Sequence, residues 1–463
     1  MKFTQLILLI ILFNSCLFSQ QRSHNQYPLT PVPTTAQLQW QNMEFYLFIH
    51  FGPNTFTDKE WGLGNEPEDV FNPTHLDCRQ WCRIAKEAGA KGIIITAKHH
   101  DGFCLWPSSF SSHTIRESKW KEGKGDVLEE LSAACKSFGL KFGVYISPWD
   151  RNHPAYGTPA YNDVYVNTMK EVITKYGPLF ELWWDGANGE GPGGKKQEYD
   201  FNLFEKTVRE IAPHTVVFSD IGPDIRWVGN EQGIAGKTNW NLLDTAGFTR
   251  GKEAPSPDTL NQGNKNGKNW IPAECDVSIR PGWFYHKNED DKVKTAQELF
   301  ELYLKSVGRG ANLLLNVPAD RNGLITAYDS TSLVNFRQLR EESFGKELLK
   351  HASVIQKARA YSSGNKKTEV ITFMVLKQPV KLNCLVLKEA IQYGQAIENM
   401  DIVLSDHGTE VKKISITTVG HKRILTFPET EVSELSFIIT AAKMKPHLED
   451  IAGYLIDEKL VER

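Results

Sequence analysis

The sequence predicts an α/β protein, a (β/α)8 TIM-like barrel followed by a C-terminal antiparallel β-sandwich, and three observations carry that reading. From about residue 40 to 345, short apolar runs alternate with capped amphipathic segments, the pattern of a parallel sheet with helices outside it. Those runs number about eight, the count at which such a sheet closes into a barrel. From Val354 onward the texture changes to segments such as "TEVITFMVL", "NMDIVLSD" and "SELSFIITA" with turn residues between them, which reads as antiparallel sheet. The expected domains are a barrel over 30–348 and a sandwich over 352–463. A chain of 463 residues, 40% of them hydrophobic, can bury cores of this size.

In order, the candidate strands are "EFYLFIHF" ending at His50-Phe51, "KGIIITAKHH" ending at His100, "KFGVYIS" ending at Ser147 and "FELWWD" ending at Asp185. Then come "TVVFSD" ending at Asp220, a short piece around "IRWVGNE", "GWFYH" ending at His286, and "ANLLLNV" ending at Val317. Between them, "GDVLEELSAACKSFG" offers Asp126 as a helix cap, Glu129 three residues on and Gly139 as the stop, while "DKVKTAQELFELYLKSVG" ends on Gly308. The Gly/Asn/Lys-rich stretches 188–198 and 251–269 interrupt the alternation and read as rims over a site.

The first 20 residues, "MKFTQLILLIILFNSCLFSQ", place Lys2 before an apolar stretch too short to span a bilayer, which reads as an export signal. Cleavage near Gln20 gives a periplasmic or secreted protein; Ser15-Cys16 offers a lipoprotein site as the alternative. No stable membrane insertion is expected. A net charge of −3 provides no basic field for nucleic acid. Cys78, Cys82, Cys104, Cys135, Cys275 and Cys384 lack metal-finger spacing, and the Cys78/Cys82 pair reads as buried small side chains rather than ligands.

In a barrel of this kind the carboxyl ends of all eight strands open onto one face, so the polar residues there are the functional candidates. They are His50; His99, His100 and Asp101; Tyr145 and Trp149; Asp185; Glu231; and Trp283 with Tyr285. Each type hydrogen-bonds to a sugar or stacks on one, and 12 Trp, 14 Tyr and 24 Phe make stacking surfaces plentiful. Two carboxylates, Asp185 and Glu231, suggest cleavage of a glycosidic bond, one attacking the anomeric carbon and the other protonating the leaving oxygen. Alternation along a strand lets one of Trp183 and Trp184 face the barrel mouth beside Asp185 while its neighbour packs against the outer helices. The same alternation argues against a metal held by His99 and His100 together, so no metal is expected.

Taken in order, "FIHFGPNTF", "KEWGLGNE", "TAKHHDGFCLW", "VYISPWDRN", "LWWDGANG", "RWVGNEQG", "AECDVSIRPGWFYH" and "GRGANLLLNVPAD" resemble the α-L-fucosidases of glycoside hydrolase family twenty-nine over nearly the whole mature chain. The resemblance implies a retaining enzyme with a catalytic barrel, a carboxyl-terminal sandwich and no cofactor. It makes Asp185 the nucleophile and Glu231 the acid/base, with Asp224 and Glu190 as competitors for the second role. His50, Glu60, Trp61, His99, His100, Tyr145, Trp183 and Arg226 would line the fucose pocket, with Trp283 beside them as a substrate-binding residue.

Gly62 after Glu60-Trp61, where the broad subfamily has tyrosine, makes the sequence more similar to the subfamily that cleaves α-1,3 and α-1,4 links. The implied partner is a fucosylated oligosaccharide or glycoprotein glycan. A second subsite for galactose would draw on the loops 188–198 and 251–269 with Glu274, Asp276 and Trp283. Two alternatives stand beside this reading: a broad-specificity fucosidase that also takes α-1,2 links, and a carbohydrate-binding protein that keeps the pocket without turnover.

Overall fold

The computed structural model describes residues 31–358, 370–444 and 446–461; the export segment and Cys16 lie outside the described residues. Eight strands form a closed parallel barrel: β1 Phe45–Ile49, β2 Gly92–Lys98, β3 Lys141–Ile146, β4 Glu181–Trp183, β5 Val216–Ser219, β6 Ile225–Trp227, β7 Ala273–Ser278 and β8 Asn312–Asn316. Each strand pairs with its sequence neighbours, and β1 pairs with β8 through Phe45 opposite Leu313 to close the ring.

The side-chain period of two sorts the strand residues. Tyr46, Phe48, Ile94, Tyr145, Trp183, Phe218 and Leu314 fill the barrel. Phe45, Leu47, Ile49, Ile93, Ile95 and Leu313 face the helices. Trp183 and Trp184 divide as the alternation requires, the latter packing outward on Phe201 with ring centroids 5.7 Å apart. The amino-terminal helix Thr35–Gln41, closed by a capping box between Thr34 and Gln37, brings Trp40 against the interior cluster.

Helix Val127–Phe138 starts where Asp126 accepts a bond from the Glu129 amide and stops at Gly139, whose φ of 65° is the left-handed value a glycine takes without cost. The helix expected to run to Gly308 ends earlier, at Lys305, and a short 3-10 turn covers 307–309.

The seventh strand is the main correction. "GWFYH" is loop, and the strand is "AECDVS", whose Glu274 and Asp276 are charged residues on an all-buried run. A strand carrying two acidic residues reads as polar loop unless the groups that receive them are known. Glu274 accepts from Trp183 Nε1 at 2.8 Å and from the Tyr46 hydroxyl. Its neighbour across the barrel, Glu181, accepts from Trp40 Nε1 at 2.8 Å. Burial pushes both carboxyls up, and the charge of Glu274 raises Glu181 further, so the pair retains a proton.

The carboxyl-terminal domain is a six-stranded antiparallel sheet: β9 Ser353–Ala358, β10 Val370–Glu389, β11 Ile397–Asp406, β12 Thr409–Ile416, β13 Arg423–Ala442 and β14 Leu448–Tyr454, in the order β9-β10-β13-β11-β12 with β14 also on β10. Two 20-residue strands, β10 and β13, run through it and change register between Val375 and Val380. Met400, Ile402, Leu404, Leu435, Phe437, Leu385 and Leu387 form its own core. Cys384, Val386 and Ile424 point the other way and join the core of the barrel's helical layer. Among the described residues no helix is long and apolar enough to cross a membrane.

Candidate active site

Asp185 stands two residues past the end of β4, at the barrel mouth. The Tyr145 hydroxyl donates to its Oδ2 at 2.9 Å, and the Ala187 amide donates to its Oδ1 at 2.8 Å. His100 Nε2 lies 3.7 Å from the same Oδ2, and about a quarter of the Asp185 side chain remains accessible. The carboxylate is therefore oriented from two sides and still open to a reacting atom.

Three histidines surround it. His50 Nδ1 donates to Asn316 Oδ1 at 2.8 Å, since the Asn316 amide nitrogen is itself donating to Ser278 Oγ and the Trp283 carbonyl. Burial pushes His50 down to about 3, so it is neutral, with Nε2 left as an acceptor. Burial likewise lowers His99 and His100, the latter against the pull of Asp185. His99 and His100 both turn toward the site, their rings 4.2 Å apart, because β2 ends at Lys98 and a register shift between Thr96 and Lys98 breaks the alternation. Even so, no cluster of three or more His, Cys, Asp or Glu side chains able to hold a metal occurs among the described residues.

Aromatic faces complete the pocket. Tyr145 stacks on Trp183 at 5.3 Å, and Trp183 stacks in turn on Phe218 at 4.0 Å. Trp283 lies 5.1 Å from the His50 ring. Trp61, 58% exposed, meets His100 and Trp149 edge-on at the rim. Gly62 beside it is enforced by close approach: a Cβ there would fall 2.7 Å from Asn54 Oδ1 and 2.8 Å from Asp101 Cβ.

Glu60, expected in the pocket, supports the backbone that carries Trp283. Its carboxylate accepts the amides of Trp283 and Phe284 at 2.8 and 3.0 Å and bonds His286 Nε2 at 2.8 Å, so it holds the 283–284 backbone in place. Arg226, expected in the pocket, is fully buried away from it. Its guanidinium donates to the carbonyls of Leu260, Ile271 and Trp240 and to Asn239 Oδ1, which engages four of its five donors. Glu274 is likewise no rim residue, being committed to the barrel interior with Glu181.

Glu231 is exposed on the loop that follows β6. Its charge, after burial and Glu274, is among the influences that raise the Asp276 carboxyl, so the two acids are electrostatic neighbours. Of its competitors, Asp224 precedes β6, where it accepts Arg209 Nη2 and the Val217 amide, both at 2.7 Å. Glu190 is exposed on the loop whose carbonyl receives Trp149 Nε1 at 3.1 Å. Asn316, Ser147 and Phe284 escaped the sequence reading. Asn316 had a signal, as a polar residue closing the apolar run "LLLN" at the carboxyl end of a strand.

A pocket with one oriented carboxylate, neutral imidazoles, stacked aromatic rings and a second carboxylate on a flanking loop suits a sugar and acid/base work at its anomeric centre. Known proteins agree. The family profile described as alpha-L-fucosidase matches residues 65–338. The chain is 39% identical to alpha-L-fucosidase 1 of Arabidopsis thaliana, across 92% of this chain and 88% of that protein. It is 41% identical to a glycoside hydrolase 29 family member from an unknown rumen bacterium, with a TM-score of 0.85 over 93% of this chain and 78% of that one. A Ruminococcus gnavus family 29 fucosidase, solved in complex with fucose, is 30% identical with a TM-score of 0.83, over 93% of this chain and 96% of that one. The chain belongs to the α-L-fucosidase family of glycoside hydrolases.

Proposed function

We propose that this protein is an exported, retaining exo-α-L-fucosidase that removes terminal α-1,3- or α-1,4-linked L-fucose from branched glycans by double displacement. The observation that carries the reading is the setting of Asp185, held between the Tyr145 hydroxyl and the Ala187 amide at the end of β4. Asp185 attacks the anomeric carbon while Glu231 protonates the departing oxygen. Glu231 then removes a proton from water, which hydrolyses the fucosyl ester. Neutral His50, His99 and His100 bond the sugar hydroxyls without adding charge near the developing oxocarbenium. Trp183 and Trp61 cover the apolar face bearing the methyl group.

The linkage preference draws support from a cleft of about 780 Å³ beside the Asp185 loop, lined among others by Asn162, Tyr199, Asp200, Phe248 and Arg250. Tyr199 ties it to the nucleophile's loop by donating to the Ala187 carbonyl at 3.2 Å. Polar groups around aromatic faces fit a second sugar, and its binding energy would position the scissile bond. Export follows from Lys2 and the apolar run after it.

The test is to compare kcat/KM on a Lewis trisaccharide, its galactose-free disaccharide and 2′-fucosyllactose, with proton NMR identifying the fucose anomer released first. We expect α-fucose first, and at least a tenfold preference for the trisaccharide over both other sugars. Initial release of β-fucose overturns retention. Preference for the 2′-linked sugar, or no loss on removing galactose, overturns the linkage assignment.

A further inference from the structure

Glu231 lies on a loop, exposed, so its placement depends on how the loop's ends are fixed. Within the loop, Asn230 Oδ1 accepts the Gln232 and Ile234 amides at 3.1 and 3.3 Å, and Asn261 Nδ2 donates to the Ile234 carbonyl at 2.7 Å. The near end is β6, anchored by Arg226. The far end, Lys237–Asn241, is gripped by the carboxyl-terminal sheet domain.

That grip converges on Asn239, 4% exposed. Its amide donates to Thr418 Oγ1 at 2.9 Å, and its carbonyl accepts Gln395 Nε2 at 2.9 Å. Its side chain accepts Arg226 Nη2 at 3.0 Å and donates to the Arg309 carbonyl at 2.9 Å. Gln395 Oε1 also accepts the Asn241 amide at 2.8 Å, and Arg423 donates to the Lys237 carbonyl at 2.6 Å. Gln395 and Thr418 are 1% and 2% exposed. A buried polar chain thus runs from the second domain through Asn239 and Arg226 into the strand from which the Glu231 loop departs.

We infer that the carboxyl-terminal sheet is part of the catalytic apparatus, with Gln395 and Thr418 as positioning residues that set Glu231 through Asn239 and Arg226. The inference rests on Glu231 being the acid/base. General acid catalysis needs the donor within hydrogen-bond reach of the leaving oxygen, and displacement by about 1 Å costs on the order of 100-fold. A stable leaving group such as a nitrophenolate needs little protonation, so misplacement of Glu231 should fall selectively on sugar leaving groups. Simple loss of folded protein would lower both alike.

The experiment uses the full chain and compares Gln395→Ala, Thr418→Val and Thr418→Ser with Glu231→Ala, on a fucosyl-oligosaccharide and on 4-nitrophenyl α-L-fucoside. Gln395→Ala and Thr418→Val are expected to lose at least tenfold in kcat/KM on the oligosaccharide and under threefold on the aryl fucoside. Thr418→Ser, which keeps the hydroxyl, should restore most of the loss and remains informative if the larger changes impair folding. Equal losses on the two substrates, or no selective loss with Thr418→Val, overturn the inference while leaving the acid/base reading intact. If Glu231→Ala itself loses equally on both substrates, and added azide, a nucleophile that needs no general base to attack the fucosyl ester, restores no turnover, the acid/base reading fails and the inference falls with it.

Discussion

The Tyr145 hydroxyl donates to the proposed nucleophile from a ring held between Trp183 and His99, 5.3 and 5.7 Å away. A hydrogen bond to a charged group is worth about 1.5–3 kcal/mol. Because the bond is strongest on the resting carboxylate, its value to turnover is aim, and Tyr145→Phe should lower kcat on the order of 100-fold, the cost of about 1 Å of misplacement, with melting temperature close to wild type; full activity would remove Tyr145 from the mechanism. Asp185→Asn is the reference, folded but without turnover, since an amide cannot form the fucosyl ester. At this scale the sequence was legible where a local rule sufficed. Alternation separated Trp183 from Trp184, and the strand end placed Asp185. Arg226 was not legible, because the carbonyls that absorb it come from residues 240, 260 and 271, far along the chain.

Among the elements, β7 was hidden by its own chemistry, and displacing it by about ten residues also misread Trp283 as a strand residue. The segment 282–286 is loop, held by Glu60 and His286 rather than by a ladder. Burial opposes the charge on His286, but bonds to Asp58 and Glu60 outweigh it, so the imidazole titrates above its ordinary 6.5. A raised histidine contributes fully below the ordinary value, and that contribution is lost as pH rises through the folded one. KM of the wild type should therefore rise on the alkaline side as the loop under Trp283 loosens. His286→Gln should show a higher KM at pH 6 and no further alkaline rise. An unchanged alkaline rise in the variant would place its origin elsewhere. The effect is modest because Asp58 is 55% exposed and screened.

The whole molecule couples two domains through buried polar contacts that composition cannot reveal. The barrel count and the antiparallel texture were readable because each repeats a period, whereas the docking partners Glu44, His421 and Lys422 are single residues far apart. Burial disfavours the Glu44 charge, yet His421, 3.6 Å away, and the bonded charge of Lys422 prevail and hold the carboxyl well below its usual range. A depressed carboxyl contributes stability above its ordinary pKa, and that stability is lost as pH falls through the ordinary range toward the lowered value. Melting temperature should fall between about pH 4.5 and 3 in the wild type, with a shallower slope in Glu44→Gln; parallel slopes would assign acid lability to other carboxyls. The Glu181 and Glu274 pair beneath Trp183 has a different consequence. Both carboxyls are 0% exposed inside a ring with no free strand edge, so the proton this pair retains has no path to water while the barrel stays shut. Its replacement by deuterium is then a clock, ticking once for each opening of the barrel and silent to every motion of the loops above.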